Sequence, residues 1–368
     1  MSEIIPSTGA DIGTMWLASM RDNDKGDIVY TSVRDCYRIL NFEEEFEDQM
    51  KEQGSHYIRE GNKLYIIGNE AYIQSSMAEF GSETDALQRP MKDGILNPDS
   101  PKISLMILRE LIKACVENKV GPARKDEILY FSVPGNPIDS NINNSFHTKM
   151  CQQFLTGLGY DSRPLNESLA VLFSENPKMH CPEGDIPFTG LAMSFGAGQI
   201  NVCLAERGVP IKGMEFSICK AGDYIDINAA RMTGEPRTKV LRTKEKKLNF
   251  NSIDDSDPIV LALECYYEEM LNYVFNQIST KFSGNKGSLE HPIDLVVSGG
   301  TASVPGMDKK IKTMLAKIEL PFEIAEVRLA GGGDRTKMLG AVARGCYLRA
   351  KQAAKKMANT KDALDKVS

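Results

Sequence analysis

The sequence predicts an α/β fold built from two similar domains, and three observations lead to this prediction. The chain has 368 residues, which exceeds the roughly 250 to 300 residues over which one hydrophobic core usually extends. A strand, turn and strand pattern at residues 10–33 is repeated at residues 191–206. A further glycine-rich turn at residues 297–307 joins an apolar strand to a helix, as in the repeating units of α/β domains.

The composition excludes several classes of protein. Hydrophobic residues make up 42% of the chain and charged residues 26%, so a large core can be buried. The formal net charge of -6 argues against a nucleic-acid surface, because such surfaces need basic clusters to displace phosphate counterions. Apolar stretches such as residues 191–193 fall far short of the roughly 18 residues that a membrane span requires. We therefore predict no direct nucleic-acid partner and no membrane span.

The distribution of cysteines and histidines along the chain bears on its cellular compartment and on metal binding. The eight cysteines and four histidines are scattered and form neither a C-x-x-C pair nor a zinc-binding cluster. Widely spaced cysteines in a long chain, with no signal sequence, are typical of reduced thiols. The sequence therefore predicts a cytoplasmic protein without a metal site built from cysteine and histidine.

Hydrophobic periodicity predicts the other elements. Apolar residues recur at three- and four-residue steps between Ile103 and Asn118, which predicts a helix. Residues 43–60 are rich in acids and amides and are predicted to be a surface insertion, while the tail after Lys356 is expected to fray. The segment before Asp11 lacks an apolar run, so the first strand is expected to be short or irregular. Other strands are predicted at 15–20, 27–33, 63–67, 127–133 and 293–298, and other helices at 143–158, 167–174, 258–282, 307–315 and 335–355.

Three glycine-containing loops carry the chemistry. The loops at Asp11–Thr14 and Ser194–Gln199 each join two strands. A glycine in such a loop lets backbone N–H groups approach phosphate oxygens, because no side chain blocks the approach. The third loop, from Ser298, lies between a strand and a helix, as a nucleoside-binding turn does. Each loop alone could be an ordinary turn, but the three in this order predict a nucleotide site between the domains.

With these loops the chain resembles, over nearly its whole length, the ATPase superfamily of actin, the heat-shock chaperones and the sugar kinases. The segment Arg89–Ile95 is similar to the RPxKDG motif of bacterial actin-like proteins of the MamK and MreB type. Leu64–Ala71 resembles the strand-and-GeeA element of these proteins, and Ala221–Asp226 resembles the start of their fourth subdomain. The resemblance implies an actin-like ATPase fold, with two duplicated α/β domains, ribonuclease H-like cores and a nucleotide cleft between them.

The resemblance also implies domain boundaries. The first domain is expected at residues 1–160, with a smaller inserted subdomain at about 35–100. The second is expected at residues 161–334, with an inserted subdomain at about 223–285. The last helix, at 335–355, is expected to pack back against the first domain.

Individual roles follow from the same resemblance. Asp11 would hold Mg²⁺ through water, and Glu167, in a segment similar to the EPxAA helix, would complete the metal site and orient the water that attacks ATP. These two are the predicted catalytic residues, while Glu245 and Lys247 would lie near the ribose or base. The predicted ATP-binding residues are Gly13, Thr14, Ser194, Gly196, Ala197, Gly198, Gln199, Gly222, Asp223, Glu245, Lys247, Ser298, Gly299, Gly300 and Thr301.

We call the loop at Ser194–Gln199 the second phosphate loop. Two of its residues depart from the family pattern. Ser194 stands where the family has an aspartate, and Gln199 replaces a threonine. A serine hydroxyl cannot supply the negative charge that a hard divalent cation prefers. Hydrolysis is therefore expected to be slow or lost.

Three functions fit this fold. The first is a cytoskeletal protein that polymerises with ATP into filaments and positions an unknown cargo or adaptor. The second is a non-polymerising ATPase or adaptor of the pilus-assembly or chaperone kind, although the chain leaves no room for a peptide-binding domain. The third is a small-molecule kinase, for which the sequence offers no convincing catalytic acid in a substrate loop.

Overall fold

Two five-stranded sheets with the same connectivity form the framework of the chain, whose computed structural model describes residues 6–77, 87–176, 178–181, 184–285 and 291–365. In spatial order, the strands of the first sheet are β3 (Ile28–Arg34), β2 (Trp16–Asp22), β1 (Ser7–Ile12), β7 (Ile128–Val133) and β8 (Asp161–Asn166). Those of the second are β13 (Val209–Ile218), β12 (Ile200–Glu206), β11 (Gly190–Phe195), β14 (Ile293–Ser298) and β15 (Ile324–Leu329).

The two sheets also agree in strand direction. In each, the three strands that follow one another in the chain pair antiparallel, and the last two strands add in parallel. The internal repeat that the sequence predicts is therefore confirmed. We call the first sheet and the elements packed around it, residues 6–166, the first lobe, and the second sheet with its elements, residues 190–333, the second lobe.

Smaller strands and ten helices surround these sheets in the described residues. A three-stranded sheet has the order β4 (Tyr37–Asn41), β6 (Lys63–Ile67) and β5 (Tyr57–Glu60), and a hairpin pairs β9 (Lys178–Cys181) with β10 (Gly184–Pro187). The helices are α1 (Glu44–Glu52), α2 (Asn69–Met77), α3 (Lys102–Glu117), α4 (Ser145–Gly157), α5 (Glu167–Glu175), α6 (Gly222–Thr233), α7 (Arg237–Lys246), α8 (Pro258–Phe282), α9 (Met307–Leu315) and α10 (Arg335–Asp365).

Local sequence explains where the best-predicted helices begin. The side chain of Asp257 accepts hydrogen bonds from the backbone N–H groups of Ile259 and Val260, and Pro258 occupies the first turn of α8. Asn166 caps α5 in the same way, through the N–H groups of the two residues after Glu167. α8 matches its predicted bounds, whereas α10 runs ten residues beyond its predicted end, from 355 to 365.

The prediction of a short or irregular first strand is wrong. Strand β1 is regular and central, although its residues are polar or small. Thr8 is satisfied there by a 2.7 Å hydrogen bond to the buried Glu127 carboxylate. Gly9 lies against the last helix so closely that a Cβ would be 2.1 Å from the Tyr347 nitrogen, so an apolar side chain has no room. Residues 43–60, predicted to be a surface insertion, form α1 and β5.

The helices α5 and α10 lie between the two sheets. One buried cluster contains Tyr130 of the first sheet, Val296 of the second, Ala170 of α5 and Cys346 of α10. On the outer faces, α3 packs against the first sheet and α8 against the second, each in its own apolar cluster. The junction of the sheets is therefore rigidly built, which fixes the edges that face each other.

The strand β8, which begins at residue 161, belongs to the first sheet. The domain boundary expected between residues 160 and 161 would therefore separate β8 from its sheet. We propose to place this boundary after Asn166. None of the helices in the described part of the chain is long and apolar enough to span a bilayer.

Candidate functional site

A cavity of about 1040 Å³, measured with its open mouth, lies where the carboxyl ends of the central strands of the two sheets meet. The structure brings most of the predicted site residues together in its walls. These are Asp11, Gly13, Thr14, Glu167, Ser194, Gly196, Ala197, Gln199, Glu245, Gly299, Gly300 and Thr301.

Backbone contacts hold the three loops together. The N–H of Gly196 donates to the carbonyl of Gln199 at 3.0 Å and closes the turn between β11 and β12. The hydroxyl of Thr301 donates to the Gly196 carbonyl at 2.8 Å, which ties the third loop to the second. Gly299 has a φ of +101°, and a Cβ there would lie 2.3 Å from the Phe195 carbonyl oxygen, so only glycine fits.

Two half-buried carboxyl groups, those of Asp11 and Glu167, line the cavity. The Ser132 hydroxyl donates to Asp11 at 2.8 Å, and the amide of Asn201 donates to Glu167 at 2.9 Å. Burial raises the pKa of Asp11 to about 6. Burial, together with the negative charge of Asp11, raises the pKa of Glu167 to about 8, while hydrogen bonds from Ser194 and Asn201 act to lower it. The hydrogen-bond donors of both carboxyl groups are neutral, so none of these contacts supplies a positive charge to offset their negative charge.

The second phosphate loop touches the first lobe directly. A Cβ on Gly198 would lie 2.3 Å from the Gly94 nitrogen and 2.7 Å from the Thr14 hydroxyl, so these backbones are in contact. The side-chain amide of Gln199 donates to the carbonyl of Asp93 at 2.8 Å. Asp93 and Gly94 have φ values of +52° and +85°, which mark a tight turn. The Arg89–Ile95 segment is therefore part of the site.

Five predicted residues lie outside the cavity walls. Gly198 and Gly222 pack between the loops, with Gly222 against Thr301. The buried Ser298 donates to the Met338 carbonyl. The carboxylate of Asp223 pairs with arginines, and the exposed Lys247 pairs with Asp257 at 3.4 Å.

Part of one wall of the cavity was not predicted from the sequence. Helix α7 contributes Leu241 and Lys244 beside the predicted Glu245, Leu248 follows the end of this helix, and the start of α10 contributes residues at helical spacing. The spacing of the α10 residues by three and four was a usable signal for a helix face turned to one surface. These α10 residues are Arg335, Met338, Leu339 and Val342.

An arginine stack borders the cavity on the side of the first lobe. The guanidinium of Arg34 lies 3.8 Å from the ring centre of Trp16 and 4.2 Å from that of Tyr72. It also pairs with Glu245 of the second lobe at 2.8 Å. Since Trp16 is the single tryptophan of the chain and lines the cavity, its fluorescence reports on this site.

Comparison with known proteins places this geometry in context. The family described as Volactin matches residues 7–350. The actin-like protein MamK of Paramagnetospirillum magneticum is 22% identical over 288 residues, which cover 75% of this chain and 70% of MamK.

Two solved structures share the fold. A MamK double helical filament has a TM-score of 0.62 at 17% identity, covering 94% of this chain and 98% of that one. MreB5 of Spiroplasma citri bound to ADP also has a TM-score of 0.62, at 14% identity, covering 96% of this chain and 98% of that one. The predicted actin-like fold is confirmed.

Proposed function

The chain belongs to the Volactin family and has an actin-like fold of the MamK and MreB type, and from this premise we propose that it binds ATP in its cleft and polymerises into cytoskeletal filaments, with slow ATP hydrolysis. The observation that carries the proposal is the convergence of three glycine loops on one cavity. Loops 11–14 and 196–199 come from different sheets and both line the cavity, as two halves of a phosphate site do.

The walls of the cavity combine two kinds of chemistry. The glycine loops contribute backbone groups, and Leu241, Leu248 and Val304 contribute apolar side chains. A nucleotide likewise combines charged phosphates with a flat base. The similar MreB5 structure is described as bound to ADP, which supports a nucleotide as the ligand.

The carboxyl pair suits a magnesium ion. Asp11 lies close enough to Glu167 that its negative charge raises the pKa of Glu167, and the hydrogen-bond donors of both carboxyl groups are neutral side chains. Mg²⁺ takes oxygen ligands, binds through one or two carboxylates and keeps several waters. In the described residues no group of three or more Asp, Glu, His or Cys side chains is placed to hold a metal, so phosphates and water would supply the remaining ligands. When bound, the ion would neutralise charge on the phosphates.

The chain's own residues indicate slow turnover. Glu167 is held by Asn201 and Ser194, so its carboxyl group is fixed in orientation. In this arrangement it would orient the attacking water, and positioning contributes most of the catalysis of phosphoryl transfer. Ser194 adds no negative charge at the metal, which supports a rate below that of proteins with a carboxylate there.

Filament formation is supported by the likeness to MamK, whose solved structure is a double helical filament. A head-to-tail contact between identical subunits grows a filament when its rotation does not close a ring. The partner proposed for this chain is therefore a second copy of itself, in the cytoplasm, with a cargo or adaptor attached to the polymer.

Sedimentation with and without ATP and Mg²⁺ tests the proposal. We expect the wild-type protein to enter the pellet with ATP and Mg²⁺ and to stay in the supernatant without nucleotide. Trp16 fluorescence measures binding in parallel, so binding and assembly are separated. Binding without sedimentation at any concentration would favour the non-polymerising adaptor, and the absence of any nucleotide effect on Trp16 would contradict the proposal.

The role of Glu167 has its own test. Phosphate release by Glu167→Ala should fall by about a hundredfold or more, because a positioned acid or base typically contributes that much. A suitable control is Glu175→Ala, on the same helix and outside the cavity walls. Equal rates of phosphate release in wild type and Glu167→Ala would show that Glu167 has no role in hydrolysis.

A further inference from the structure

We propose that the end of the last helix, residues 355–365, binds helix α1 of a second copy of this chain, so that the first lobes of successive subunits join end to end. The inference rests on the proposed assembly of the chain with itself and names two surfaces that meet in it. We call residues 355–365 the α10 end. The inference is carried by two helices of opposite charge that lie at opposite ends of the first lobe.

Helix α10 leaves the body of the protein near its end. Ala353 and Ala354 are buried, whereas every residue from 355 to 360 is exposed. Six residues are more than one full turn, so no side of the helix is buried there. Met357 is 49% exposed, although its sulfur accepts a hydrogen bond from Arg163 at 3.6 Å. Because a helical segment of fewer than about 12 residues is marginal in water without tertiary packing, a partner that covers the α10 end also stabilises it.

The α10 end belongs to a basic helix in an acidic protein. Helix α10 contains eight Lys and Arg residues against two Asp, although the formal net charge of the whole chain is -6. Lys355 and Lys356 are exposed, and in the described part of the chain neither side chain has an ion-pair partner. Their charges are therefore available to a partner that carries negative charge.

Helix α1 is the complementary surface. Glu44, Glu45 and Glu52 are exposed, and their carboxylates have no hydrogen-bond or ion-pair partner among the residues that the structure describes. Lys51 is the single basic residue of this helix, and it already pairs with two acids of the same helix, at 3.0 and 3.3 Å. The helix therefore presents uncompensated negative charge to solvent.

The two helices lie at opposite ends of the first lobe. Helix α10 begins at the cavity, and further along it the Tyr347 hydroxyl donates to Asp22 at 2.6 Å. Asp22 ends β2, whose first residue, Trp16, lines the cavity about 20 Å away. Helix α1 is attached at the cavity end, since its Met50 packs in one buried cluster with Cys36, which follows the arginine stack. The α10 end and α1 therefore cannot meet within one molecule.

Opposite charge at opposite ends produces a head-to-tail contact. Because the two surfaces differ, joining them leaves a free α1 at one end and a free α10 end at the other, so further copies can add. Pairing two α1 helices, or two α10 ends, would bring like charges together, which is unfavourable. An anionic membrane is a poorer match, because Asp362 and Asp365 follow the lysines and the segment lacks the roughly four to eight clustered basic residues that such a surface attracts.

Charge reversal tests the contact. Lys355→Glu/Lys356→Glu makes the α10 end acidic like α1, and Glu44→Lys/Glu45→Lys gives α1 basic residues like those of the α10 end. In each variant alone, we expect the concentration needed for sedimentation with ATP and Mg²⁺ to rise by about tenfold or more, because like charges then meet. An equimolar mixture of the two variants should sediment at close to the wild-type concentration, since each reversed surface then finds an opposite one.

The matched control is Lys102→Glu/Lys113→Glu, which makes the same change of charge on two exposed lysines of helix α3. It should sediment like wild type. Trp16 titration with ADP should give the same affinity in all variants, because none of the changed residues lines the cavity. Raising the salt concentration from about 0.05 to about 0.5 M should weaken wild-type assembly, since exposed charges are screened.

The outcomes separate this inference from the proposed function. If wild type never sediments, the proposed filament fails, and sedimentation velocity of the variant mixture still decides the inference: association supports the pairing of α1 with the α10 end, and monomers alone overturn it. If wild type sediments and the lysine variant sediments like it, the filament stands and this contact is wrong. Binding of wild type to anionic vesicles that is lost in the lysine variant would identify a membrane surface as the occupant and would also overturn the inference.

Discussion

Arg89 and Asp223 join the two lobes through one guanidinium nitrogen, which donates to both carboxylate oxygens at 2.7 and 2.8 Å. Arg89 comes from the motif most typical of bacterial actin-like proteins in this sequence, and Asp223 begins helix α6 of the second lobe. Their side chains are only 13% and 22% exposed, so the pair is partly shielded from solvent screening. The pair therefore acts as a latch across the cleft.

Breaking this latch should speed nucleotide release. In Asp223→Asn the ion pair is lost and Arg89 remains partly buried, which should destabilise the protein by about 1 to 3 kcal/mol. We expect the dissociation rate of ADP to rise by about tenfold, because closure of the lobes retains the ligand. Stopped-flow fluorescence of Trp16 measures the rate.

The control for the latch uses the same carboxylate. Arg237 pairs with Asp223 at 2.6 Å from within the second lobe, and its side chain is 41% exposed. Arg237→Gln should cost less than about 1 kcal/mol and leave ADP release unchanged. Equal effects of the Asp223 and Arg237 variants on release would show that the interlobe bond has no special role.

Gly94 is expected to tolerate no side chain. An alanine Cβ there would lie 2.7 Å from Cγ of Gln199, and the residue has a φ of +85°. Gly26 has the same φ of +85° with nothing within 4 Å of its Cβ position, so Gly26→Ala measures the backbone strain alone. We expect about 1 kcal/mol from strain at Gly26 and a larger loss at Gly94, together with weaker ATP binding only at Gly94. Chemical denaturation and Trp16 titration give the two quantities.

The sequence predicted those features whose cause is local. The second phosphate loop and the turn at Gly299 could be predicted because close backbone approach requires glycine wherever the rest of the chain lies. Helix α8 could be predicted because its capping residue, proline and apolar periodicity all lie in one segment. These predictions need no knowledge of which elements become neighbours.

The parts that the sequence did not predict depend on distant partners. Strand β8 contains Pro164 and polar residues, and it forms because it is an edge strand, where a proline is tolerated and β7 supplies the pairing. β1 is polar because a helix more than 300 residues away packs on Gly9. Likewise, the pairing of Arg34 with Glu245 spans 211 positions of sequence, so no local pattern indicates it.

Replacing Arg34 with lysine should loosen the rim of the cavity. Lysine keeps the charge toward Glu245 but has no planar group to lie between the rings of Trp16 and Tyr72. We expect a loss of about 1 to 2 kcal/mol in unfolding free energy. Trp16 emission should also move to longer wavelength, because water gains access to the ring.

Arg59 provides the matched control for that variant. Its guanidinium lies 3.6 Å from the ring centre of Phe42 and pairs with Glu47 at 3.2 Å, but its side chain is 47% exposed. Arg59→Lys should cost less than about 1 kcal/mol and leave the emission of Trp16 unchanged. An unshifted spectrum in Arg34→Lys would show that the stack does not shield the tryptophan.

The half-buried carboxyl pair of Asp11 and Glu167 makes the stability of the nucleotide-free protein depend on pH. Burial raises the pKa of Glu167 from 4.5 to about 8, and the Asp11 charge adds to this shift. Since the folded state then binds more protons than the unfolded state, the free energy of unfolding falls as pH rises from 4.5 to about 8. Asp11 adds a loss at lower pH, up to about 6.

Glu167→Gln should therefore remove most of the decline. Urea denaturation without nucleotide or Mg²⁺ should show wild-type stability falling between about pH 5 and pH 8, by about 1 kcal/mol for each unit of pKa shift. In Glu167→Gln the curve should be nearly flat above about pH 6, because no carboxyl group remains at that position to lose a proton. The variant should be more stable than wild type at pH 8, and parallel curves would show that Glu167 titrates normally. Mg²⁺ should raise wild-type stability most at pH 8, where both carboxylates are ionised, and have a smaller effect on Glu167→Gln.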